Sequence, residues 1–331
     1  MLGADISSVQ EAMDSGTRYA DTDGTQKGIL DILKNHGFNT IRLRTFVEPQ
    51  AEYGYATCTS DEAYCDKDHT IEFARDIKAA GMSLLLDFHY SDTWADPGKQ
   101  VIPALWRSAS TIEARADLLK AYTIDVVSSM IDAGARPDMV QVGNEITPGM
   151  LIHVPSSNTD CWGNNSTPAS LTGSTSNWEN LATLLKAGID GVREVDPSIK
   201  VMLHIENTDD LSGARWWVSN AISNGVEFDV LGLSCYTAYQ GQPSVWRNTF
   251  ETLAEEFPEL SFVIAEYNPE RSEANRIMAE LPNGRGLGTF FWEPTQSGSW
   301  GDSMFTSSGG TLRANASDFA EFDQLRDELG L

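Results

Sequence analysis

Histidine, cysteine and positive charge are all scarce in this chain. Its 331 residues include 5 His, 4 Cys and 23 Lys or Arg. Barrel metallohydrolases need several imidazole ligands, often paired near the end of the first strand. The first strand-like segment here, GADIS, has none. The four cysteines match no usual zinc spacing, so no metal is expected in the chemistry. The 23 cations face 48 Asp and Glu, a formal charge of −25. Such a field repels nucleic acid and anionic membranes and disfavours polyanionic polysaccharides. A neutral polymer is the better-suited partner, although an acidic surface also serves plain solubility. No apolar run approaches the roughly 18 residues of a membrane helix. The chain opens on Met1-Leu2-Gly3 and enters strand-like sequence at once, with no leader in view. Also missing are internal repeats, a low-complexity linker, and a Gly-rich phosphate turn after the first strand. The last is the mark of an open, doubly wound nucleotide sheet.

What is present is alternation. Short apolar strands are predicted at Gly3–Ser7, Asn39–Phe46, Ser83–His89, Met139–Asn144, Lys200–Ile205, Val230–Tyr236, Ser261–Tyr267 and Gly288–Trp292. Runs such as SLLLDFHY and FVIAEY are apolar almost throughout, as in strands buried on both faces. Amphipathic helices are predicted between them, at about Thr25–Asn35, His69–Ala80, Thr111–Ala133, Asn177–Val195, Leu211–Asn224, Val245–Phe257, Arg271–Leu281 and Ala316–Leu329. Strand–helix pairs in this number, parallel by the crossover rule, close into a barrel. The expected fold is α/β, a single (β/α)8 TIM barrel over residues 1–331.

Cys58 and Cys65 bracket a short polar loop, CTSDEAYC, and a local disulfide is expected there. Such a bridge favours a secreted, extracellular protein. Cys161 and Cys235 pair only if the fold brings them together. The Ser/Thr/Asn-rich stretch Pro155–Ser176 is expected to be a long loop on the active face, with glycosylation matches at Asn164 and Asn165.

Catalytic groups of a barrel gather at the C-terminal ends of its strands. Two carboxylates stand there directly after apolar runs, Glu145 in VQVGNE and Glu266 in FVIAEY. A charge in that place is costly unless it is used or paired. Glycoside hydrolysis needs two carboxyl groups flanking the bond. Glu145 is expected to stay protonated as the acid/base, and Glu266 to attack as the nucleophile, kept ionised by hydrogen bonds from Arg44 and Tyr236. Asn144 is expected to hold a sugar hydroxyl, and Trp94 and Trp292 to stack on sugar rings. His89 and His204 are candidate hydroxyl ligands, His204 being equally a satisfied core histidine. No cofactor is expected; the acidic loops leave room for a structural Ca2+ that catalysis would not need.

These motifs together resemble glycoside hydrolase family 53, the endo-β-1,4-galactanases. The matching stretches are GADIS, GFNTIRLRTFVEP, DFHYSDTWADPGKQ, VQVGNEITPGML, VMLHIEN, VLGLSCY, VIAEYNPE and GTFFWEP. The resemblance implies a retaining endo-enzyme acting on the β-1,4-galactan of pectic side chains, with Glu145 as acid/base and Glu266 as nucleophile. It implies that Arg44, His89, Asn144, Tyr236 and Trp292 line the central subsite, and that Asp92, Trp94 and Asp96 shape the strand-three loop. Another neutral β-glycan, such as a mannan or β-glucan, is the alternative substrate; a binding barrel without activity is a third reading. The chain departs from the family pattern after Glu266, where EYNPERSEANRIM enters a helix almost directly, and after Trp292. Both segments bear on distal subsites. A monomer is expected.

Overall fold

The computed structural model describes residues 1–59, 62–155 and 165–330. Eight parallel strands close into a barrel. They are β1 (Leu2–Asp5), β2 (Thr40–Thr45), β3 (Ser83–Phe88), β4 (Met139–Val142), β5 (Lys200–Ile205), β6 (Val230–Tyr236), β7 (Ser261–Asn268) and β8 (Gly286–Trp292). β1 pairs with both β2 and β8, which closes the ring. The principal helices are α1 (Ile29–Asn35), α2 (Lys67–Ala79), α3 (Ile112–Asp132), α4 (Trp178–Val195), α5 (Leu211–Ser223), α6 (Pro243–Glu256), α7 (Arg271–Glu280) and α8 (Ala316–Leu329). Each predicted strand and helix is present, with ends moved by a few residues. The largest shift is in α1, where Thr25–Gly28 form no helical turn and Gln26 instead bridges Ala20.

Local chemistry fixes the helix starts. The side chains of Asp66, Thr111, Asn177 and Asp210 each accept a backbone N–H three residues on, capping α2, α3, α4 and α5. Pro243 opens α6, where no N–H is needed.

The two faces of each strand serve different cores. Outward residues such as Leu84, Leu86, Val140, Leu203, Ile264 and Phe291 pack with the helices. Inward residues Leu85, Met139, Met202, Val230, Val263, Ala265 and Phe290 form a separate apolar plug. Side chains repeat every second residue along a strand. One step above the plug the same faces therefore carry Asp87, Gln141, His204 and Trp292. An apolar layer supports a polar one.

β7 breaks this rule. Val263 and Ala265 both belong to the plug, so strict alternation would turn Glu266 out toward the helices. The pairing slips instead: Leu233 faces Ile264, but Ser234 faces Glu266. The pairing with β8 slips over the same residues. One extra residue on β7 forms a bulge that re-aims Glu266 into the barrel.

The disulfide expected between Cys58 and Cys65 is not formed. Cys65 is a free, buried thiol packed with Phe46 and Tyr55 and directed at the Ser7 carbonyl. Cys235 is also free, buried against Thr208, so it makes no bridge with Cys161. Cys161 and Asn164, with much of the loop after β4, lie outside the described residues. The described part of that loop pairs Asn165–Ser166 with His153–Val154 and Gly173–Ser174 with Gly149–Met150.

Candidate active site

At the C-terminal mouth of the barrel lies a cleft of about 770 Å³. Its walls include Arg44, Trp94, Asp96, Asn144, Glu145, Glu206, Tyr236, Tyr239, Glu266, Trp292, Glu293 and Trp300. Glu145 and Glu266 thus open into one space, from β4 and β7.

Glu145 follows a tight backbone reversal. Gly143 has φ +82° and Glu145 has φ 47°. A Cβ on Gly143 would meet the Ile146 side chain at 2.7 Å, so the glycine of GNE is required by space as well as by φ. The Ser234 hydroxyl lies 2.7 Å from Glu145 Oε1. Burial pushes this carboxyl well above the usual glutamate range, and the charge of Glu266 pushes it further.

Glu266 accepts from Arg42 Nη1 and from the Tyr236 hydroxyl, each at 2.8 Å. Burial raises it to about 7, against the downward pull of Arg42 and Tyr236; Asp5 and Asp87 add to the rise. The expectation that its donors would hold it low is corrected by that burial. What matters is the order within the pair: Glu266 ionises first, and Glu145 keeps its proton to higher pH.

The cation on Glu266 is Arg42, not the expected Arg44. Both point inward, two residues apart, so strand parity does not separate them. Arg42 lies one layer deeper, in the floor. It donates to Asp5 at 2.9 Å, and to Asp87, Glu266 and Asn144 at 2.8 Å each. Its Nε reaches Gln141 at 3.2 Å. Arg44 does not touch Glu266. It pairs with Glu293 at 2.9 Å and stacks 4.0 Å over the Trp94 ring. Glu293, at the end of the eighth strand beside Trp292 and given no role in the sequence reading, is held by Arg44 and by the Ser8 backbone and hydroxyl. Together they build one wall of the cleft.

Asn144, Trp94, Tyr236 and Trp292 stand on the cleft as expected. Three other residues do not line it. His89 sits edge-on to Trp94; its Nδ1 accepts the Ala95 N–H at 2.9 Å and its Nε2 lies 3.1 Å from Asp87 Oδ2. His204 is fully buried among Asn144, Gln141 and Ser234. Asp92 accepts the backbone N–H groups of Glu48 and Ala104, tying the strand-three loop together. Burial raises its carboxyl to about 6. A strand-end position marks proximity to the mouth; it does not tell a wall residue from one behind the wall. Ser234 gave no signal in the sequence, because a serine inside VLGLSCY looks like strand filler.

Among the described residues, no cluster of three or more His, Cys, Asp or Glu is placed to hold a metal ion. No helix among them is long and apolar enough to cross a membrane.

A closed parallel barrel with two glutamates facing one open cleft, at the ends of strands four and seven, defines a glycoside hydrolase of the barrel type. The family model described as glycosyl hydrolase family 53 matches residues 1–276. The chain belongs to that family. It is 32% identical over 349 residues to an arabinogalactan endo-beta-1,4-galactanase of Humicola insolens, covering 94% of this chain and 96% of that one. It is 31% identical over 324 residues to the enzyme of the same name from Thermothelomyces thermophilus, covering 88% of each. Among solved structures, a family 53 catalytic domain of Ignisphaera aggregans superposes with TM-score 0.82 at 27% identity, covering 97% of this chain and 94% of that one. A fungal beta-1,4-galactanase structure superposes with TM-score 0.80 at 28% identity, covering 97% and 98%.

Proposed function

We propose that this glycoside hydrolase is a retaining endo-β-1,4-galactanase. The observation that carries the reading is the Glu145–Glu266 pair, sharing one cleft and separated in proton affinity by their surroundings. The galactan assignment rests on the names of the relatives above.

In the first step Glu266 attacks the anomeric carbon while Glu145 gives its proton to the departing glycosidic oxygen. The bond to the leaving sugar breaks, and a glycosyl ester forms on Glu266. In the second step Glu145, now a carboxylate, takes a proton from water. The water oxygen bonds to the anomeric carbon and Glu266 leaves with its original charge. Arg42 and Tyr236 orient Glu266 through both steps. Trp94 and Trp292 offer apolar faces to the sugar rings, and the neutral polymer avoids repulsion by the −25 charge. A polymer of this kind is met outside the cell, which is where we place the reaction.

The test is product analysis on linear β-1,4-galactan beside galactomannan, β-1,3-linked arabinogalactan and mixed-linkage glucan. Short galacto-oligosaccharides from the first substrate alone are expected. Cleavage of another polymer in its place would keep the two glutamates and overturn the sugar. Glu145→Ala should slow galactan hydrolysis by about 10²- to 10⁴-fold, the usual worth of general acid catalysis. Aryl glycosides with very good leaving groups, which need no proton, should be spared. Equal slowing of good and poor leaving groups would remove Glu145 as the acid.

A further inference from the structure

A chain of buried groups runs from the floor of the barrel to Glu145, and the direction of each hydrogen bond in it is fixed by the one before. Arg42 carries donors only. Its Nη2 donates to Asn144 Oδ1 at 2.8 Å. The amide of Asn144 is thereby oriented, and its Nδ2 donates to the Ala95 carbonyl at 2.8 Å. His204 Nδ1 lies 2.9 Å from the same Asn144 Oδ1. Two acceptors do not settle at that distance, so Nδ1 bears a hydrogen and donates. The Gln141 amide nitrogen is farther from Nδ1, at 3.3 Å, and its two hydrogens are directed at Asp87, at 2.6 Å, and at the Gly143 carbonyl and Asn144 Oδ1, at 3.0 Å each.

His204 is neutral: burial, then the charge of Arg42, then His89, hold its pKa well below the usual imidazole value. A neutral ring with its hydrogen on Nδ1 presents a bare Nε2, an acceptor. Ser234 Oγ lies 2.9 Å from that nitrogen and must donate to it. Its single hydrogen is then spent. Toward Glu145 Oε1, at 2.7 Å, Ser234 has only a lone pair to offer. Ser234 and His204 are fully buried.

We propose that Arg42, Asn144, His204 and Ser234 form a directional relay that places the proton on Glu145. His204 and Ser234 are positioning residues for the acid. The inference rests on the reading of Glu145 as acid/base. When Glu145 has given its proton away, its carboxylate faces a serine lone pair. Relief comes only if the hydroxyl turns from His204 to Glu145, which strands the buried Nε2 without a partner. The relay therefore favours return of the proton from the incoming water. The acidic groups that bear on Glu145 are Glu266 on β7, Glu206 beyond β5 and Asp96 in the loop after β3. The charge of Glu145 in turn bears on the Tyr236 hydroxyl on β6, and the cations of Lys99 and Arg44 line the same cleft. The three carboxylates act in the same sense as the relay.

Two measurements test it. Neutron diffraction from wild-type crystals near neutral pH should find deuterium on Glu145 Oε1, on Ser234 directed at His204, and on His204 Nδ1. Deuterium on His204 Nε2 would overturn the relay. In Ser234→Ala the acceptor is lost, so the basic limb of the kcat/KM profile should move to lower pH by about half a unit to one unit. Had Ser234 been a donor to the carboxylate, the limb would move up; an upward shift, or none, sinks the proposal. Ser234→Thr, which keeps the hydroxyl, should restore the limb. If the alanine variant does not fold, the wild-type deuterium positions decide alone. Failure of the parent reading looks different: Glu145→Ala would turn over galactan normally, with the deuterium positions unaffected.

Discussion

Glu266→Ala is expected to lower turnover of galactan by on the order of 10⁴-fold or more while leaving the fold intact. The side chain is the group we assign to attack, and the aromatic and hydroxyl groups around it offer no second nucleophile of comparable placement. It stands at the cleft rather than in the apolar plug, so its removal opens space without emptying the core. Removal also relieves Arg42 of one of the three carboxylates around it, Asp5, Asp87 and Glu266. The informative measurement adds azide to the variant. A small anion entering the vacated space should attack from the same face and yield a glycosyl azide of inverted configuration. Activity near wild type, or rescue without inversion, would remove Glu266 from the role.

Arg42→Met should have the largest effect on stability. It would leave the buried carboxylates of Asp5 and Asp87, and the cleft carboxylate of Glu266, without their shared cation. Breaking a buried pair from one side costs about 3–5 kcal/mol, because the remaining charge is uncompensated. The sign with pH follows from linkage. Glu266, already raised by burial, loses the pull of Arg42 that lowers it, so its folded-state pKa stands further above the unfolded one; the folded state binds more protons and stability rises as pH falls. Urea unfolding of the variant should therefore show a low midpoint near neutrality that recovers on acidification, more steeply than in wild type, where burial already raises Glu266 to about 7. A wild-type midpoint at neutral pH would mean that the floor does not depend on Arg42. Catalysis should fail as well, since Glu266 loses its orienting donor.

Much of this architecture was legible in the chain. The strands are near-continuous apolar runs, and the strand ends carry the chemistry, so barrel and paired glutamates both followed from position. Depth was not legible. Arg42 and Arg44 share a face, and only the closed barrel shows that one sits in the floor and the other against Trp94. His204 ends its strand as a ligand would, yet Asn144 and Ser234 stand around it. Asp92 lies in the most distinctive motif of the sequence and serves backbone amides instead of a sugar. The Cys58–Cys65 pairing failed because Cys65 packs into the core with Phe46 and Tyr55, while Cys58 is bonded in a different disulfide. Ser234 could have been found only by knowing that β6 faces Glu145 across a single hydrogen bond.

The extra residue in β7 divides that strand into two jurisdictions. Up to Ala265 its inward side chains answer to the plug; from Glu266 they answer to the cleft, while Tyr267 still packs outward on Phe291 and Asn275. Substitutions in the lower half can repack the interior without redirecting the carboxylate above, since the slip in pairing absorbs the mismatch. A slide of the pairing that set Ala265 opposite Ser234 is another matter. It would restore perfect alternation, leave every other strand in place, and turn the glutamate out of the barrel. In this molecule the regular strand would be the inactive one.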